Sequence, residues 1–451
     1  MTQTPQRVDV AQLIETQKAN AYRISILVWA CMVMAIEGYD MQVVGFAAPA
    51  IIKIWKVNKG LFGPVFGFGL FGYMLGATVL SNLADRVGRK KLIVGGGLLF
   101  GAFTFAAAYS TSVTELLVLR FIAGLGLGCS IPSAIALSAE YAPSRSRATA
   151  ISLIFLGYNI GSAAGGFIAA KTIPAFGWPS VFYIGGIAPI ALSLVLIFVL
   201  PESVRFLALK PDRQSQVAKI LSKLAPSQHF GADTQFVLRE ENQGGLPVMH
   251  LFTAGRAMMT SLLWLAFVSS LLGHAFLTNW LPTILEGSGK SLAHADIAGG
   301  LLQAGGGVGC LLVGWLLDKW GITSIAMAFA ITAPLVVLFG VVGGSNFLLW
   351  TLVFFTGISL LGGQVGLNAI SGSIYPTYIR STGAGWAFGV GRIGSILGPV
   401  IGGLLITRLP ASALFACVAI PPLLCAGATF LLGRETMARQ AREAPAPAVV
   451  A

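Results

Sequence analysis

Charge is what this 451-residue sequence has least of: Asp, Glu, Lys and Arg make up 10% of it, against about 25% in an ordinary soluble domain. With 55% hydrophobic residues beside that shortage, a soluble globular protein is excluded. Histidine is scarce as well. The four present (His229, His250, His274, His294) are scattered, without metal-ligand spacing or a neighbouring nucleophile, so neither a metal centre nor a membrane enzyme is expected. The five cysteines (Cys31, Cys129, Cys310, Cys417, Cys425) fall inside apolar stretches and read as small core residues rather than ligands or a disulfide framework. The first twenty residues are polar, with Glu15 and Lys18 and no apolar core, so no cleaved signal peptide is expected. Gly287-Ser-Gly-Lys290-Ser291 has part of a phosphate-loop spacing but Ile284 where the first glycine is required, which argues against an ATP-driven pump. No cofactor is called for.

What is present is apolar sequence, recurring from Ile24 to Leu432. The runs predict membrane-spanning helices near 24–48, 61–80, 92–109, 113–139, 149–170, 180–200, 258–282, 297–317, 323–342, 346–371, 383–406 and 411–432, at about 20 apolar residues per crossing. The expected fold is therefore an all-α polytopic membrane protein with two six-helix halves. Its parts are an N-terminal tail (1–23), a six-helix bundle (24–200), a polar linker (201–257), a second bundle (258–432) and a C-terminal tail (433–451). An even number of crossings puts both termini on one side. Arg86, Arg89, Lys90, Lys91, Arg145 and Arg147 share that side with most of the 29 lysines and arginines, so it is expected to be cytoplasmic. The net charge of +12 is thus a topology signal, not a sign of nucleic-acid binding. Lys53, Lys56 and Lys59 lie on the opposite side, as a solvated loop or as an attractor for an anionic solute.

The halves are related in sequence. Ser81-Asn-Leu-Ala-Asp85-Arg-Val-Gly88 matches Gly314-Trp-Leu-Leu-Asp318-Lys-Trp-Gly321, an offset of 233 residues from Asp85 to Asp318. The same offset aligns Pro143 with Pro376, Arg147 with Arg380, Thr149 with Thr382, and Gly161-Ser162 with Gly394-Ser395. One register held at separate loops and helices marks a true internal repeat, and two homologous halves predict a central pathway.

Asp85-Arg-Val-Gly88-Arg89-Lys90, Arg120 in Leu-Arg-Phe-Ile-Ala-Gly124-Leu-Gly126-Leu-Gly128, and Pro201-Glu202-Ser203-Val-Arg205 resemble motifs of the major facilitator superfamily. Glu37-Gly38-Tyr39-Asp40-Met41-Gln42 in the first helix, with Gly45-Phe-Ala-Ala-Pro49 after it and the Arg380 and Arg392 pair, is similar to the signature of aromatic acid:proton symporters. Glu37 stands where Asp is commoner, as in the branch that takes phenylpropanoid acids. The resemblance implies proton-driven import of a small aromatic carboxylate across an inner membrane by alternating access, with protons and the bilayer as further partners and the chain acting as a monomer.

Ionisable groups at mid-membrane need a partner, a cavity or a switchable charge. Glu37, Asp40, Arg120 and Arg392 are such groups, and helix directions put Asp40 and Arg120 at similar depth. The pair is read as an exchangeable one or as a static link between helices. At the repeat offset Glu37 answers to Ser270, Asp40 to Gly273, Arg120 to Val353 and Arg392 to Asn159, so the scaffold persists where these charges do not. A carboxylate can carry a proton, so Asp40 and Glu37 are proton-site candidates; an arginine stays charged and can clamp a carboxylate through two hydrogen bonds. Arg120 and Arg392 are therefore substrate candidates, with tight helix packing at Gly389 and Gly391 as the competing use of Arg392. Tyr39, Tyr158, Asn159, His274, Asn279, Gln303, Gln364, Asn368 and Trp386 are polar or aromatic candidates to finish the site, although such a residue is more often an interhelical bond than a ligand contact. Asp85, Arg89, Glu140, Arg147, Asp318 and Arg380 are expected to form a cytoplasmic gate, through Asp318 with Arg380, Glu140 with Arg145 or Arg147, and Arg89 bridging across it. A dicarboxylate symporter and a non-transporting chemoreceptor on the same scaffold are the alternatives.

Overall fold

In a computed structural model of the chain, twelve helices are long and apolar enough to cross a membrane. The structure describes residues 7–17, 20–80, 83–226, 228, 230, 234–237, 248–253, 255–341, 345–375 and 379–443. Ser81, His229 and Pro376 fall outside these, as does the side chain of Asp85. The twelve, called the first to the twelfth below, are Ala21–Trp55, Lys59–Leu80, Arg89–Ala107, Val113–Tyr141, Arg145–Phe176, Pro179–Val199, Ala257–Gly287, Leu292–Trp320, Ile322–Phe339, Asn346–Ser371, Thr382–Ile406 and Ala411–Ala438. Most outrun the apolar runs that predict them. The first extends seven residues past the expected end at 48, because Lys53 continues the helix as a polar end beyond the greasy stretch.

The chain divides into two compact units, Met1–Ala47 with Phe68–Gln243, and Ala48–Gly67 with Gly244–Ala451. The far end of the first helix and the start of the second thus group with the C-terminal sequence. Within that second unit, Phe66 meets Trp280 edge-on at 5.1 Å, Trp280 Nε1 donates to Pro399 O at 2.9 Å, and Gly60 and Gly63 lie against Gly403 and Pro399.

Inside each unit the helices pack through small residues, as expected where lipid leaves van der Waals fit to hold helices together. The contacts repeat at the offset read from the sequence. A side chain at Gly161 would run into the carbonyl of Ala35, and one at Gly394 into that of Val268; both residues of the second contact are 233 residues after those of the first. Gly72 against Phe121 and Gly305 against Phe354 form a second matched pair. The helix starts repeat too. Ser112 caps the fourth helix by accepting from Glu115 N, and Ser345 caps the tenth by accepting from Leu348 N. Gly88 and Gly321 precede the third and ninth helices at φ of 104° and 59°, a turn that favours glycine.

The polar segments hold structure that the hydropathy pattern does not announce. Arg7–Asp9 pairs in parallel with Gln235–Val237, so the N-terminal tail and the linker share a two-stranded ribbon. Val10, Leu13 and Ile14 of the tail helix Val10–Thr16 bury with Val217, Leu221 and Leu224 of the linker helix Gln214–Leu224. Arg23 and Asn20 fasten the join, Arg23 donating to Gln17 O and Ile14 O and Asn20 to Lys223 O and Leu224 O.

Candidate functional site

In the first unit the first, third and fourth helices bring three side chains together. Arg120 donates from Nη1 to Asp40 Oδ1 at 2.9 Å and from Nη2 to Oδ2 at 2.6 Å. Thr104 closes the triangle: its hydroxyl donates to Asp40 Oδ1 at 2.9 Å and accepts from Arg120 Nη1 at 3.1 Å. Arg120 Nη2 also reaches the Asp40 backbone carbonyl at 3.3 Å. Asp40 and Thr104 are fully buried and Arg120 is 5% exposed, so water screens none of these charges. The two parallel N–H···O bonds are the geometry in which an arginine binds any carboxylate, that of a ligand included. Glu37, one turn back on the first helix, is buried as well.

The neighbouring candidates of this unit make these contacts. The Tyr39 hydroxyl donates to Val181 O at 3.0 Å, and its ring lies against Gly165 and Gly185. Asn159 donates to Phe155 O one turn back at 3.0 Å. Tyr158 is half-buried at the edge of a cluster containing Met34, Phe100 and Ile131.

The second unit carries a neutral network where the first has charge. Ser270, the repeat counterpart of Glu37, donates to Gln364 Oε1 at 2.5 Å, and Gln364 Nε2 donates to Asn368 Oδ1 at 3.1 Å. Gln303 is buried, with Nε2 3.4 Å from Thr278 Oγ1 and Oε1 without a partner among the described residues. Asn279 donates to Ala275 O at 2.8 Å. Half-buried His274 lies within electrostatic reach of Arg392, and its Nδ1 has no hydrogen-bond partner among the described residues. Arg392 is itself half-buried. Trp386 is 46% exposed and stacks on Trp264 at 6.0 Å, nearer the linker end of its helix than Arg392.

The charges at the linker end differ from the expected pairing. Glu140 does not take Arg145 or Arg147; Arg89 Nη1 lies 2.5 Å from its Oε1, a charge contact without hydrogen-bond angles, and Ser203 Oγ donates to Oε2 at 2.5 Å. The cause is local. Gly88 turns the chain so that Arg89 starts the third helix beside the end of the fourth, whereas Arg145 follows the break at Ala142–Pro143 and is exposed. Arg89 therefore bridges within its own unit rather than across a gate. Glu202 completes the knot by accepting from Lys90 N at 3.0 Å and Ser203 N at 2.9 Å. The expected Asp318–Arg380 pair is likewise not formed among the described residues. Both side chains are exposed, and Arg380 Nε instead lies 3.4 Å from Tyr375 O. Arg147 Nε is buried without a hydrogen-bond partner among the described residues.

Thr104 is the site residue that sequence reasoning missed. Its repeat counterpart is Val337, so the asymmetry that marks Asp40 and Arg120 would have marked it too, had hydroxyls been compared along with charges.

Comparison with known proteins bears on what such a site does. The profile of the Major Facilitator Superfamily matches residues 30–391. The chain is 38% identical over 406 residues to the 4-hydroxybenzoate transporter PcaK of Acinetobacter baylyi, covering 88% of each. It is 37% identical over 417 residues to the gallate transporter of Pseudomonas putida, covering 92% of each. The fold resembles that of a bacterial homologue of the human lysosomal transporter Spinster, at a TM-score of 0.72 and 18% identity over 95% of this chain and 100% of that one.

Proposed function

The chain belongs to the Major Facilitator Superfamily, and on that footing we propose that it is a proton-coupled symporter importing a small aromatic carboxylate, of the hydroxybenzoate or phenylpropanoate type, by alternating access. The observation that carries this reading is the buried two-pronged bond between Arg120 and Asp40. Stability alone is poorly served by such a pair, since apolar residues of similar volume usually do as well. As an exchange site it has a use. A substrate carboxylate that takes the Arg120 fork leaves Asp40 without its cation, and a proton then neutralises Asp40; solute and proton load together with no net charge left bare. Glu37 is the second proton candidate, one turn away.

Arg392 is assigned to the substrate carboxylate in the second unit. Gln303, Gln364, Asn368, Asn279 and His274 offer donors and acceptors for ring hydroxyls, with Tyr39, Tyr158, Asn159 and Trp386 as further candidates. Benzoates with ring hydroxyls, the solutes named for the two relatives above, fit a site of this chemistry. Alternating access would be governed by the linker-end charges Asp85, Arg89, Glu140, Arg147, Asp318 and Arg380, with the bundles 24–200 and 258–432 as the moving halves. We place both termini in the cytoplasm and the protein in an inner membrane on the distribution of lysine and arginine, and assign it a monomeric state on the family resemblance alone.

A binding screen tests the substrate assignment. Hydroxybenzoates and phenylpropanoates should raise the unfolding temperature of the purified protein and aliphatic diacids should not. A response confined to diacids would replace the aromatic reading.

A further inference from the structure

The eighth helix begins at Leu292 behind a Ser291 cap, which puts Asp296 in its second turn. Asp296 is fully buried, and neither of its carboxyl oxygens has a hydrogen-bond partner among the described residues. No counter-charge among the described residues reaches it. The ninth and tenth helices, which pack on the eighth, contain no titratable residue; the seventh contributes His274 and Glu286, and the eighth itself His294, Cys310, Asp318 and Lys319. The nearby cations are directed elsewhere: Lys290 Nζ donates to Asn346 Oδ1 at 2.9 Å, and Lys59 Nζ lies against Gly287. Asp296 joins no ion pair among the described residues. An ionised carboxylate without water, donor or cation is far costlier than the neutral acid, by more than a helix N-terminus returns.

Two further observations bear on the role of this acid. At the repeat offset it answers to Gly63, so the scaffold does not require a carboxyl there. At the start of the same helix, Ser291 and His294 line a cavity of about 630 Å³ shared with Lys290, Asn346, Phe339 and Phe415; Asp296, two residues past His294, is not part of that lining. We propose that Asp296 is a further proton-binding carboxyl of this transporter, in the unit that lacks Asp40. Hydronium gives its proton to a carboxylate oxygen of Asp296 and leaves as water; release is the reverse. The role rests on the proton-coupled reading above, but protonation itself is measurable without it.

The test uses the full chain, wild type, Asp296→Asn and Asp296→Glu. Infrared spectroscopy of the purified protein should show a protonated-carboxyl band that Asp296→Asn removes and Asp296→Glu restores at a shifted position. In proteoliposomes under an imposed gradient of about one pH unit, losing one coupled proton should lower steady-state accumulation of labelled 4-hydroxybenzoate about tenfold in Asp296→Asn. Circular dichroism and elution profile report whether each variant folds, and if Asn does not, the shifted band in Asp296→Glu decides alone. A band unchanged by every folded variant, or undiminished accumulation in Asp296→Asn, overturns the assignment. Wild-type solute transport without proton movement would instead remove the coupling reading and leave the infrared result standing.

Discussion

Removing either partner of the Asp40–Arg120 pair leaves a different orphan behind. Asp40→Asn strands a guanidinium that is 5% exposed and cannot give up its charge, at a cost of about 3–5 kcal/mol. Arg120→Gln strands a carboxylate instead, and a carboxylate can take a proton. The folded variant then binds one proton that the unfolded chain does not, so its stability rises as pH falls, by up to about 1.4 kcal/mol per pH unit. Thermal unfolding of the purified variants, followed between about pH 7 and about pH 5, should therefore separate them. The deficit of Asp40→Asn relative to wild type should stay constant with pH, while that of Arg120→Gln should shrink by about 2–3 kcal/mol across the range. The double variant, with both charges gone and Thr104 still present to bond an amide, should recover stability over Asp40→Asn. Neither single variant should accumulate solute against a gradient. A pH-independent deficit in Arg120→Gln, or Asp40→Asn as stable as wild type, would refute the idea that this pair is a switchable charge held in a dry site.

At Arg392 the account predicts an ordered series: Lys keeps charge without the fork, so Arg392→Lys should bind the acid less tightly than wild type but better than Arg392→Gln. A neutral amide analogue of the acid should lose most of the wild-type affinity and little more in Arg392→Gln; strictly additive losses in that cycle would remove Arg392 from the carboxylate. Glu140→Gln keeps an acceptor for Ser203 but leaves Arg89 unneutralised, so turnover should fall while substrate binding, read by titration, persists. Asp85→Asn should likewise retain binding and lose turnover, and loss of binding there would make it a ligand contact.

The apolar runs disclosed all twelve long helices because twenty consecutive greasy residues have few other uses, and the repeat offset disclosed which small residues meet. Asp40 and Arg120 were legible for a similar reason: a charge in such a run must answer to something. Helix ends were less legible, since a polar residue at the end of a helix looks like a loop. That error hid Asp296, which an eighth helix starting at 297 leaves outside the membrane and one starting at Leu292 buries. The Arg89–Glu140 contact depends on the φ of Gly88, a torsion that charge spacing cannot report. The ribbon between Arg7–Asp9 and Gln235–Val237 joins segments more than 200 residues apart, and neither is apolar enough to advertise a partner.

The most direct test of the account is transport by the wild-type chain reconstituted in liposomes, with a lumenal pH dye and labelled 4-hydroxybenzoate measured together. The account predicts that adding the acid outside acidifies the lumen beyond protein-free vesicles, and that an acidic exterior drives accumulation of the label. Binding of the acid without entry of label, or entry with no accompanying proton movement, would contradict it.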